Sequence, residues 1–76
     1  MSPRRVTLMI DGLALGGGGA LIVERALARL PGVLRVTVNP ATEMAYVEYD
    51  PMEAQAPQLL AAVENAGFKA CVHAAH

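Results

Sequence analysis

The sequence predicts an α+β domain whose elements follow one another as β-α-β-β-α-β. Two observations lead to this. Apolar residues alternate at period two in four short stretches and recur at helical spacing in two longer ones. Breaks rich in Gly, Pro and Asn fall between those stretches. Length sets the remaining bound: 76 residues suffice for one domain, here residues 1–76, and not for two.

Val6, Leu8 and Ile10 alternate with Arg5, Thr7 and Met9, which predicts a strand over residues 4–10 with one buried face. Asp11-Gly12 ends it. The four-glycine run Gly16–Gly19 has too high a backbone entropy cost to sit inside a regular element, so residues 11–19 read as a loop, expected to be mobile. Ala20, Val23, Leu27 and Leu30 then form an apolar stripe, widened by Ala26 and opposed by Glu24, Arg25 and Arg29, which predicts a helix over residues 20–30. Pro31-Gly32 stops it. Val36 and Val38 alternate with Arg35 and Thr37 in a strand over residues 33–39, and Asn39-Pro40-Ala41-Thr42 turns the chain. Ala45, Val47 and Tyr49 alternate with Met44, Tyr46 and Glu48 in a strand over residues 43–49, closed by Asp50-Pro51. Pro57 suits the first turn of a helix over residues 56–66, with Leu59, Leu60, Val63 and Ala66 on its apolar side and Gly67 as its C-terminal cap. Phe68, Ala70 and Val72 alternate with Lys69, Cys71 and His73 in a last strand over residues 68–73. The order is that of the split βαβ, or ferredoxin-like, plan: a four-stranded antiparallel sheet with two helices on one face.

Composition excludes several classes of function. The chain is 54% apolar but has one Phe, two Tyr and no Trp, so its core must be aliphatic. A net charge of -1 gives no electrostatic case for nucleic acid or a membrane surface. No stretch reaches the ~20 apolar residues of a membrane span. Arg4 and Arg5 precede an apolar run in the manner of a signal peptide, but Asp11 and the glycines interrupt it, and the run is expected to be part of the domain. The single cysteine rules out an internal disulfide and fits a reducing compartment. Ser2 is the only serine and no carboxylate pair or triad partner for a histidine stands out, so no enzyme is expected.

Cys71, His73 and His76 are the soft or borderline metal ligands that cluster in the sequence. Strand alternation puts Cys71 and His73 on one side, about 6.5–7 Å apart at Cα, with His76 in the tail as a third donor. The spacing Cys-x-His-x-x-His is not a strong zinc pattern. Met9 falls on the same outer face as Cys71 and could add a thioether, although the four methionines form no ligand motif and are expected to fill gaps or lie on the surface. The glycine run lacks the Gly-Lys-Ser/Thr ending of a phosphate loop.

Taken in order, Val23-Glu24-Arg25-Ala26-Leu27, Leu30-Pro31-Gly32-Val33, Val36-Thr37-Val38-Asn39, Thr42-Glu43, Val47-Glu48-Tyr49-Asp50-Pro51 and Ala62-Val63-Glu64-Asn65-Ala66-Gly67-Phe68 resemble heavy-metal-associated domains over about Val6 to Lys69. The resemblance implies a cytoplasmic domain that binds or relays a soft metal such as copper(I) or zinc. It also implies a metal-transporting ATPase, or other domains of the same protein, as partner, and a chain that is a monomer or weak dimer. In that family the metal sits on a Gly-Met-x-Cys-x-x-Cys loop between first strand and first helix, where two thiolates suit a soft ion and a helix N-terminus favours the thiolate. Here Gly12 matches the glycine and Leu13 replaces the methionine. Counting from Gly12 puts Leu15 and Gly18 at the cysteine positions, whereas counting back from Glu24 puts Gly16 and Gly19 there. Both cysteines are absent on either count, and the loop has gained a residue. Two functions follow as expectations: metal handling away from this loop, at Cys71, His73 and His76, or a degenerate, metal-free docking or regulatory domain.

Overall fold

A computed structural model describes residues 2–13 and 17–75. The elements are β1 (Arg4–Asp11), α1 (Gly19–Ala28), β2 (Val33–Asn39), β3 (Met44–Tyr49), α2 (Ala56–Asn65) and β4 (Lys69–Ala75). The four strands form one antiparallel sheet in the order β2-β3-β1-β4, so β1 and β3 are central and β2 and β4 are edges. This is the ferredoxin-like arrangement. No helix among the described residues is long and apolar enough to cross a membrane.

Period-two alternation gives the sheet two different faces. Val6, Leu8, Ile10, Ala45, Val47 and Tyr49 point inward and are buried. Val23 and Leu27 of α1 and Leu59 and Val63 of α2 close over them, so both helices cover the same face. Leu13 and Ala54 complete the buried set, and no polar or charged residue among those described is buried with them. The opposite face carries Arg5, Thr7 and Met9 from β1, in register with Glu48, Tyr46 and Met44 from β3. Arg5 and Glu48 form an ion pair at 3.2 Å across it, too solvent-exposed to add more than a fraction of a kcal/mol (about 0.2–1).

Element ends depart from the expected bounds for identifiable reasons. The first helix ends at Ala28 and not at Leu30, because the Leu30 N–H tightens onto Leu27 C=O and Pro31 disfavours a helical residue before it. Leu30 nonetheless packs against the core. The second helix runs Ala56–Asn65; the Gln58 side chain accepts the Gln55 N–H at 2.7 Å at its start, and Gly67, at φ +100, ends it. The third strand begins at Met44, since Glu43 turns with φ +58. The fourth strand runs on to Ala75, past the expected end at residue 73, because it crosses a register shift and continues to pair with β1. Val72, expected on the buried side, is 42% exposed. It lies on an edge strand immediately before that shift, where the regular inner face ends.

Candidate metal centre

Two places come into question: the loop joining β1 to α1, and the segment of β4 that carries Cys71.

The loop leaves β1 at Gly12, whose φ of +97 is open to glycine and strained for other residues. Its N–H donates to Glu43 Oε2 at 2.9 Å, and the neighbouring Ile10 N–H donates to Glu43 C=O at 2.8 Å. The turn between β2 and β3 thus holds the root of the loop at two points. Leu13 drops into the core with 1% exposure. At the far end Gly17 and Gly18 are left-handed, at φ +77 and +78. Gly18 is the N-cap of α1; it has no side chain to satisfy the first turn, and its carbonyl accepts the N–H groups of Leu21 and Ile22, each at 3.1 Å. Gly19, the first helical residue, is buried, and a Cβ there would stand 3.1 Å from Phe68 Cζ. A Cβ on Gly12 would stand 3.8 Å from the same ring. Phe68 and Leu13 therefore form an apolar floor beneath both ends of the loop. Leu15 and Gly16, and with them the expected mobility of the middle of the loop, lie outside the described residues.

Of the two counts for the second cysteine position, Gly19 has helical geometry whereas Gly18 is left-handed. A side chain is admitted by the backbone at Gly19 and opposed by it at Gly18. Neither carries a donor. No thiol, imidazole or carboxylate occurs from Gly12 to Gly19, so the residues of this loop do not fit a soft metal ion.

Cys71 is exposed, with a free thiol, on the outer face of the sheet. His73 is exposed as well. The register passes from the Leu8–Val72 pair to the Thr7–Ala74 pair, which leaves His73 as the extra residue at the irregularity. Simple alternation no longer sets His73 beside Cys71, because a bulge re-aims the side chains it contains. His76 lies outside the described residues. Among the described residues no three of His, Cys, Asp and Glu come together as a metal cluster.

Sequence reading missed Glu43 and Phe68 as parts of the loop's support. Glu43 was legible only as a turn residue, since its bonds to Ile10 and Gly12 cross a separation of about thirty positions, and Phe68 only as an apolar residue of a strand.

Residues 18–69 match the family model described as heavy-metal-associated domain. A copper-exporting P-type ATPase of Bacillus subtilis is 32% identical over 65 residues, covering 86% of this chain and 8% of that protein. The chain spans less than a tenth of the length of the curated relatives it matches. Among solved structures, the N-terminal domain of a potential copper-translocating P-type ATPase from Bacillus subtilis, in its Cu(I)-loaded state, superposes with a TM-score of 0.90 at 29% identity, covering 99% of this chain and 92% of that one. Oxidized MerP from Ralstonia metallidurans superposes with a TM-score of 0.91 at 26% identity, covering 96% of this chain and all of that one.

Proposed function

The chain belongs to the heavy-metal-associated domain family, and from that membership we propose that it is a single non-catalytic domain that binds or relays a soft metal ion, copper(I) or zinc, at Cys71 and not at the β1–α1 loop. The observation that carries this reading is the free, exposed thiol of Cys71 on the open face of the sheet, in a chain whose loop has no donor. A thiolate is the donor that a soft ion prefers, and an exposed one can pass its ion to a docked acceptor by ligand exchange. His73 and His76 are the imidazoles within reach in sequence, and they suit zinc. The fitting partner is a metal-transporting ATPase, or further domains of one such protein, on the cytoplasmic side where a thiol stays reduced.

The absence of a three-residue donor cluster among the described residues favours a second reading, a metal-free docking or regulatory domain. Titration of the reduced protein with copper(I), and separately with zinc, followed by amide NMR shifts, separates the two. Shifts at Cys71 to Ala75 are expected. Shifts confined to Gly12–Gly19 contradict the proposal, and an unchanged spectrum leaves the docking reading.

A further inference from the structure

The outer face of the sheet has a row that the rest of the face does not resemble. Cys71 on β4 pairs with Met9 on β1, and Met9 pairs with Met44 on β3, so three sulfur side chains stand side by side on three adjacent strands. The next row is Thr7, Tyr46 and Thr37, and the one beyond it Arg5, Glu48 and Arg35. Those rows are polar or aromatic, as a solvated sheet face usually is. Only two residues separate Met9 from the end of β1, so the sulfur row lies at the loop end of the sheet.

Register sets the spacing. The bond from Ile10 N–H to Glu43 C=O makes Met9 and Met44 a non-hydrogen-bonded pair, the close kind with Cα atoms about 4.5 Å apart. The Met9 backbone groups then face β4, and Cys71 is its hydrogen-bonded partner at about 5.5 Å. Met9 is 38% exposed, Met44 half-buried and Cys71 exposed, so all three are within reach of solvent. Methionine side chains are long and unbranched, and those of Met9 and Met44 can lean along the row toward Cys71.

We propose that Cys71, Met9 and Met44 form a thiolate–bis(thioether) site for copper(I) or silver(I) on the outer face of the sheet. It rests on the reading that Cys71 anchors a soft metal ion and goes further in naming its partners and its metal. On binding, Cys71 Sγ gives up its proton to solvent and takes the monovalent ion without redox change, while the two Sδ atoms donate lone pairs. Two thioethers select a soft monovalent ion and disfavour zinc, for which imidazole is the better partner. The sulfur set on the sheet thus takes copper(I).

The test is copper(I) competition against a chromophoric chelator under anaerobic, reducing conditions, using the full chain. Met9→Leu and Met44→Leu keep side-chain volume and are expected to preserve the fold, as circular dichroism checks. Each is expected to weaken copper(I) binding at least about tenfold, a loss that even a supporting ligand contact typically causes. Met52→Leu, at a methionine 89% exposed and outside the row, is expected to bind copper(I) as the parent does. In the methyl spectrum, silver(I) should move the Met9 and Met44 signals and leave that of Met52 in place. If both Leu variants bind like the parent while Cys71→Ser abolishes binding, the thioether site is overturned and the reading of Cys71 as anchor survives. If the parent chain takes no copper(I) from the chelator, the thioether site is overturned, and if it takes no zinc in a parallel titration either, so is the reading of Cys71 as anchor.

Discussion

At the scale of single residues, Glu43 has a part out of proportion to its place in a turn. Its carbonyl holds the end of β1, its carboxylate holds the first N–H of the loop, and its own φ of +58 is the one left-handed conformation among the described non-glycine residues. A carboxylate accepting a partly buried N–H contributes about 1.5–3 kcal/mol, and a left-handed L-residue costs about 1–2 kcal/mol. Glu43→Ala loses the acceptor and keeps the strain, so urea unfolding should show a loss of about 2 kcal/mol. Glu43→Gly loses the acceptor but relieves the strain, and should be less destabilised by about 1 kcal/mol. Glu43→Gln keeps a neutral acceptor and should be the most stable of the three. Equal midpoints for the Ala and Gly variants would show that the turn is not strained. None of this is legible in Thr42-Glu43 as sequence, because the two partners arrive from the end of β1 and the loop that follows it.

At the scale of elements, the glycines differ by what surrounds them. Gly32, at φ +89 in the turn between α1 and β2, is pressed against the segment before α2: a Cβ there would lie 2.7 Å from Glu53 Cβ and 3.3 Å from Ala54 Cβ. Gly67 has φ +100 with nothing within 4 Å. Gly32→Ala should therefore cost about 2–4 kcal/mol, strain plus overpacking, and Gly67→Ala only the strain of about 1–2 kcal/mol, both read from denaturant midpoints. Pro31-Gly32 and Gly67 look alike as stop signals in the sequence, and packing alone separates them. The loop offers a comparable contrast. A Gly16→Cys, Gly19→Cys chain places its second thiol at the first helical residue, whereas Leu15→Cys, Gly18→Cys must hold one at φ +78. The first pair should bind an added equivalent of copper(I) more tightly than the second, although Gly19→Cys must displace the Phe68 ring slightly. Tighter binding by the second pair would contradict the register of the loop described above.

At the scale of the whole molecule, both sheet edges are interrupted. The β2–β3 register shifts between Val33 and Arg35, and the β1–β4 register shifts between Thr7 and Leu8. Bulged edges resist strand addition. Sedimentation of the reduced protein at micromolar concentration should accordingly give a monomer. Any dimer formed in air should disappear on reduction and in Cys71→Ser, since Cys71 is an exposed free thiol. A dimer that persists in the reduced Cys71→Ser chain would place association at an edge strand instead.

The order of elements, the two-faced sheet, the family and the loss of both loop thiols were all determined by the sequence. They depend on local periodicity, on turn residues and on which donors are present at all. Only the tertiary structure decided what lies beside what. Cys71 and Met9 are 62 positions apart, and Met9 and Met44 are 35 apart. Alternation placed Met9 and Cys71 on one face, but face alone does not give register. The pairing of β1 with both β3 and β4 lines up the three sulfurs, and the irregularity after Val72 takes His73 out of the simple pattern that had joined it to Cys71. Side-chain period is a property of one strand, whereas neighbourhood across strands is fixed only when the sheet closes its hydrogen bonds.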